Sequence, residues 1–132
     1  MRYLIIAVLL GCSGTNGSAP DASPDGSSCS GAPQVSFKTD VVRLIGHCGG
    51  EVCHGGVGAS WPYAALVNKP TTQCEDGRLL VKPGDPTNSY LMQKLEGTHM
   101  CLGTQMPRGS GQLAAADLAT IRAWICNGAP NN

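Results

Sequence analysis

Residues 47–56 read HCGGEVCHGG and combine the residue types that bind metals and anchor cofactors. Four residues separate Cys48 from Cys53, and His54 directly follows the second cysteine. Two thiols and an adjacent imidazole are the groups that attach haem c, since the sulfurs add across the porphyrin vinyl groups while the imidazole binds the iron. The usual spacing is two residues, so here the chain has to loop out, and two glycines between the cysteines give the backbone that freedom.

The same segment allows three other interpretations. A zinc ion could bind these residues with a further cysteine, although adjacent residues rarely both bind one tetrahedral ion and an exported chain favours oxidised cysteines. A nucleophilic cysteine would need a histidine base from elsewhere in the fold. Cys48 and Cys53 could also form an ordinary disulfide, with His54 on the surface. The segment alone leaves all four open.

A candidate second iron ligand lies about fifty residues further on, in the stretch GTQMPRG. Methionine is the soft thioether that serves as second axial ligand in many electron-transfer haem proteins, where it raises the reduction potential. Met106 precedes a proline in a loop outside any apolar stripe, so it has no evident core to fill. Its competitors are Met92 within a predicted helix, Met100 beside a cysteine, and His99 in a stretch typical of an exposed loop. Met106 is therefore the favoured candidate.

The N-terminus has the pattern of an export signal. Arg2 is followed by the apolar run 3–10 and by Gly11, a stretch too short to span a bilayer as a permanent helix. Cys12 follows the letters LLG and resembles the lipidated cysteine of a bacterial lipobox, which implies cleavage before it and a lipid on its sulfur. An ordinary secretory signal cut later is the alternative. Ser13 is no acidic retention signal, so we expect a lipid-anchored protein at the outer membrane or periplasmic face.

Composition indicates one small exported domain. The chain has 132 residues, its nine acidic and nine basic residues balance, and no basic stripe indicates nucleic-acid binding or a membrane surface. Seven cysteines indicate an oxidising compartment, and the few aromatics indicate that the fold needs cross-links or a buried cofactor. We expect a signal peptide at 1–11, a flexible Gly/Ser/Pro tether at 12–33 and a folded domain at 34–130.

Apolar residues recur with helical spacing at several places, and no segment alternates convincingly with period two, so the domain should be all-α and loop-rich. Between 68 and 84 we expect mostly loop. The sequence predicts helices from Phe37 after a Ser36 cap, around Tyr63–Val67, from Pro86 after an Asp85 cap to Gly97, and from Leu113 to Gly128.

The order of motifs is an apolar helix, C-x₄-C-H-G, VKPGDPTNSYLMQKL, CLGTQMP and IRAWICNGAP. It resembles bacterial class I cytochrome c domains, particularly exported, often lipid-anchored ones with a widened haem motif, over roughly residues 34–130. The resemblance implies a small all-α fold whose first and last helices cross, with Phe37 near Trp124. Ala114 departs from the Ser or Thr cap that often begins the last helix, at a cost of roughly 1 kcal/mol.

The resemblance also implies a site. One haem c per chain would be attached covalently through Cys48 and Cys53, with His54 as proximal ligand and Met106 as distal ligand. Pro83 would line the haem pocket. The x₄ spacing departs from the x₂ of most such domains and bears on whether both thioether bonds form.

Four cysteines remain beyond those assigned to lipid and haem, and they allow three pairings. A bridge from Cys74 to Cys101 would staple the loop that carries Met106, and a bridge from Cys29 to Cys126 would tie the tether to the end of the last helix. We favour this pairing, in which each bridge would contribute roughly 2–4 kcal/mol.

Together these expectations describe a monohaem electron carrier, not an enzyme, that exchanges single electrons with redox partner proteins while a lipid on Cys12 holds it at a membrane. Two alternatives stay open. If Met106 does not reach the iron, the domain would be a haem sensor or enzyme with an open distal site. Without haem, it would be a disulfide-stapled structural or binding lipoprotein.

Overall fold

A computed structural model describes residues 29–49, 62–109 and 111–132. Within these ranges the secondary structure is helical, without a β-strand, and two isolated bridges pair Val67 with Val81 and Pro70 with Leu79. The prediction of a small, loop-rich all-α fold with disulfides is confirmed. The helical elements are α1, made of consecutive π, α and 3₁₀ pieces at Phe37–Val41, Val42–Ile45 and Gly46–Gly49, then α2 at Tyr63–Leu66, α3 at Tyr90–Glu96 and α4 at Ala115–Cys126.

The first turn of α1 is capped as predicted. The Ser36 hydroxyl accepts a hydrogen bond from the Thr39 amide, and the Ser36 amide donates to the Asp40 carboxylate at 2.9 Å. The end of the chain supports the same turn, because the Phe37 amide donates to the Asn132 side chain at 2.9 Å and the Ser36 hydroxyl donates to the Asn132 carbonyl at 3.0 Å. The two ends of the domain therefore meet at this cap.

The contact between the first and last helices is also confirmed. The rings of Phe37 and Trp124 have centroids 5.2 Å apart, and Tyr63 meets the same phenylalanine edge-on at 5.3 Å. Trp124 is fully buried and donates from its indole nitrogen to the Pro130 carbonyl at 2.9 Å, while the Tyr63 hydroxyl donates to the Ala129 carbonyl at 2.7 Å. Phe37 and Trp124 therefore belong to the core, and the partly buried Tyr63 packs against it.

Helix α3 begins later than predicted, at Tyr90 rather than at Pro86. Asp85 caps a separate turn, since its carboxylate accepts the Asn88 amide at 3.1 Å. The Ser89 hydroxyl donates to the Asp85 carbonyl at 2.8 Å, so a local side-chain bond replaces the helical one and delays the helix. The predicted end at a glycine is confirmed, because the residue after Glu96 has φ +72° in the left-handed region.

The predicted disulfide pairing is confirmed. Cys29 is bonded to Cys126 with Cα atoms 5.1 Å apart, and Cys74 is bonded to Cys101 with Cα atoms 5.4 Å apart. Composition predicts that residues 29–33 belong to the flexible tether. In the structure, the Cys29–Cys126 bridge and a hydrogen bond from the Asn127 side chain to the Pro33 carbonyl attach these residues to the end of α4.

The remaining expectations concern the N-terminal residues and the start of α4. The predicted signal peptide, the predicted tether up to residue 28 and the predicted lipidation site Cys12 lie outside the described residues, so they stay predictions. Helix α4 starts after Ala114 without a side-chain cap, as the sequence indicated. Of the helices in the described ranges, none is long and apolar enough to cross a membrane.

The Phe37–Trp124 contact generates a stability prediction. Phe37 is 4% exposed, so Phe37→Ala should lower the free energy of unfolding by about 3–5 kcal/mol through lost burial and a cavity. Leu102→Ala is the control, because Leu102 is 64% exposed and its truncation should change stability by no more than about 0.5 kcal/mol. Guanidinium unfolding curves measure both, and equal losses would contradict the assignment of this contact to the core.

Candidate functional site

The described residues form a mostly apolar cavity of about 270 Å³. Its walls come from the end of α1, the loop after α2, one side of α3 and the loop that follows α3. The lining residues are Ile45, Cys48, Pro70, Thr71, Thr72, Gln73, Leu80, Tyr90, Leu91, Lys94, Leu95 and Met106. Two predicted site residues that are distant in sequence, Cys48 and Met106, thus face the same cavity.

Cys48 reaches the cavity from the 3₁₀ turn that ends α1. The preceding helical turn is fixed because Ile45 is buried in the core, and Cys48 itself is half-buried and packs against that core. The two remaining residues of the predicted attachment motif, Cys53 and His54, lie outside the described residues. Their part in the site stays a prediction.

Met106 reaches the cavity from a loop that is bonded to the end of α3. The last carbonyls of an α-helix have no partners within the helix. Here two of them bind consecutive loop residues, because the Lys94 carbonyl accepts the Met106 amide at 2.9 Å and the Leu95 carbonyl accepts the Gln105 side-chain amide at 2.9 Å. The position of Met106 is therefore set by the end of this helix.

A covalent bond holds the other end of the same loop. Cys101 is bonded to Cys74, which is buried. Gln112 adds a contact from beyond the loop, since its side-chain amide donates to the Gln105 side-chain oxygen at 3.1 Å. The loop that carries Met106 is thus attached at both ends. One attachment is the Cys74–Cys101 bridge, as predicted, and the other is the pair of hydrogen bonds to the end of α3.

The competing ligands lie elsewhere. Met92 is fully buried in the core cluster, and Met100 and His99 are not among the residues that line the cavity. Pro83 is not among them either. It precedes Gly84, whose amide donates to the Ile125 carbonyl at 2.7 Å, so this turn packs against the last helix.

Some lining residues were not predicted from the sequence. Helical spacing places Tyr90 and Lys94 of α3 beside Leu91 and Leu95, and all four residues line the cavity. Pro70 and its neighbours lie in the stretch 68–84, for which the sequence predicts mostly loop, so no helical spacing indicated that they line a cavity.

A second, polar groove lies beside Arg78 and includes His99. The guanidinium donates to the Asp76 carboxylate at 2.6 Å, to the Gln93 side-chain oxygen at 2.7 Å and to the His99 carbonyl at 2.7 Å. Its hydrogen bond to Asp76 lowers the pKa of that exposed carboxyl. The side chains of Asp76 and Gln93 in this groove are therefore bound to Arg78. Among the described residues, no three His, Cys, Asp or Glu side chains form a group that could hold a metal ion.

Comparisons with protein-family models, with curated proteins and with solved structures each found no match.

The contact between Gly97 and the Met106 loop can be tested with two glycine substitutions. Gly97 and Gly77 have nearly equal φ values, +72° and +73°, so alanine at either position adds a similar backbone strain of about 1–2 kcal/mol. An added methyl at Gly97 would also lie 2.8 Å from the Gln105 side chain, whereas nothing lies within 4 Å at Gly77. Gln105 would have to move and weaken its bond to Leu95.

Gly97→Ala should therefore destabilise the protein more than Gly77→Ala, by about 0.5–1.5 kcal/mol for the disturbed hydrogen bond. Chemical unfolding of the two variants measures the difference. Equal destabilisation would show that Gln105 does not hold the loop against α3.

Proposed function

We propose that the protein is a monohaem c-type cytochrome that carries electrons outside the cytoplasm. The observation that carries this proposal is that Cys48 and Met106, two predicted site residues that are far apart in the sequence, line one mostly apolar cavity. The sequence places Cys53 and His54 a few residues beyond Cys48. A cysteine that can form a thioether bond and a methionine that can bind iron, both on one cavity, are compatible with a covalently bound haem that has a methionine as its distal ligand.

The chemistry of the described lining residues fits this group. Aliphatic and aromatic side chains, among them Ile45, Leu91 and Tyr90, suit a flat apolar macrocycle and exclude water from it. Met106 supplies a soft sulfur, and the half-buried Cys48 supplies a thiol at the edge of the same space.

In this proposal each residue has a distinct part. Cys48 and Cys53 would hold the haem through thioether bonds, and His54 and Met106 would bind its iron. The bound group supplies a one-electron couple, and the protein sets its potential through the axial ligands and the low polarity of the surroundings. The Met106 amide donates a hydrogen bond to the Lys94 carbonyl at the end of α3, so the position of this residue is set before any ligand binds.

The partners in this proposal are redox proteins that dock briefly. The nine acidic and nine basic residues balance, so long-range electrostatic steering should contribute little to docking. A lipid on Cys12 would keep the domain at the membrane. The two disulfides equally support a stapled structural or binding lipoprotein without haem, and one experiment separates the two functions.

The first test is to mature the full chain in a bacterial host with haem c assembly machinery and to record its absorption spectrum before and after denaturation in pyridine. We expect haem that stays with the denatured chain. In Cys48→Ser and Cys53→Ser, one of the two thioether bonds should be missing, and the pyridine spectrum should shift accordingly. A colourless wild-type protein would overturn the proposal in favour of the lipoprotein without haem.

The second test concerns the distal ligand. In the oxidised protein, Met106→Leu should abolish the near-infrared sulfur-to-iron band and lower the reduction potential, because a thioether ligand raises it. Met100→Leu is the matched control, since this methionine follows the same helix without lining the cavity, and it should keep the band. A band that survives Met106→Leu would favour a haem site with an open distal position or another ligand.

A further inference from the structure

Lys94 is a buried lysine in the wall of the cavity. Only 8% of its surface is exposed, although lysine is among the residue types that are almost never fully buried without a partner. Its partner is a main-chain carbonyl, because the ammonium group donates to Leu102 at 2.9 Å. Burying an ammonium charge is costly without a hydrogen bond, so the buried position of Lys94 depends on its bond to the backbone of the neighbouring loop.

The same residue holds the loop at a second point. The Lys94 carbonyl accepts the Met106 amide at 2.9 Å, so the side chain and the main chain of one residue bind the loop four residues apart. Between these points lies Gly103, where an added methyl would stand 3.3 Å from the Lys94 ammonium. The loop therefore approaches the ammonium at a residue without a side chain.

We propose that Lys94 is a positioning residue, whose ammonium group fixes the loop from Leu102 to Met106 so that the Met106 thioether faces the cavity. The role in iron ligation rests on the proposed function, whereas the positioning of the loop does not. Any residue at position 94 could supply the carbonyl, but only a long donor reaches Leu102. A substitution at position 94 can therefore remove the ammonium contact and keep the carbonyl contact.

The test compares Lys94→Leu with Lys69→Leu. Leucine keeps helix propensity and apolar bulk, removes the donor and adds no group that binds iron. Lys69 is exposed and serves as the matched control. In Lys94→Leu, amide hydrogen exchange at Met106 should become about tenfold faster, as expected when a hydrogen bond from a charged donor is lost. Peroxide should also oxidise the Met106 sulfur faster, and mass spectrometry detects both changes.

In haem-loaded protein, Lys94→Leu should weaken the sulfur-to-iron band and lower the reduction potential, while Lys69→Leu leaves both unchanged. Unchanged exchange, oxidation and band in Lys94→Leu would overturn the proposal and leave this lysine as a packing residue. If the wild-type chain binds no haem, the exchange and oxidation measurements still decide the positioning role, so failure of the proposed function and failure of this inference are distinguishable.

A measurement on the wild-type chain does not depend on the folding of any variant. The Lys94 amine should react with an acylating reagent at least about tenfold more slowly than the Lys69 amine, because a buried and hydrogen-bonded amine must first be released. Equal reaction rates in the folded protein would show that Lys94 is not held, and would overturn the proposal independently.

Discussion

The contact between the rings of Phe37 and Trp124 is the interaction on which the rest of the structure depends. Their centroids are 5.2 Å apart, and Phe37 is the single phenylalanine of a chain with few aromatic residues. Both residues are buried, so the pair contributes apolar burial and a ring contact to this small domain. It joins the first turn of α1 to α4, and the hydrogen bonds of Asn132 to the same turn close the arrangement.

Helix α3 connects the cavity to the core in which α1 and α4 are in contact. Its Met92 side chain is buried in the core, and Glu96 forms an ion pair with Arg122 of α4. Its other side lines the cavity, and its last carbonyls bind the loop of Met106. The same seven-residue helix therefore contributes to both the core and the wall of the cavity.

The parts of the fold that depend on local pattern were predictable from the sequence. The Ser36 cap, the end of α3 at Gly97 and the apolar spacing around Trp124 each follow from short-range chemistry. The start of α3 was not predictable in this way, because Asp85 is as good a cap for the turn that forms as for the helix that does not.

The site was predictable where residue chemistry is distinctive and not where position depends on tertiary contacts. Met106 could be selected because a methionine in a polar loop is unusual, and it does line the cavity. The position of a proline in the sequence does not show whether it lines a cavity. The sequence therefore could not predict that Pro70 lines the cavity and that Pro83 does not. The burial of Lys94 depends on a loop carbonyl that only folding brings near.

The bridge between Cys29 and Cys126 also decides how the domain bears a mechanical load. The chain enters the described structure at Cys29, and this residue is covalently joined to the end of α4. Tension applied to the residues before Cys29 is shared between the disulfide to α4 and the main chain towards α1. The bridge therefore lowers the load on the hydrogen-bonded cap at Ser36 compared with a chain in which these two cysteines are not bonded.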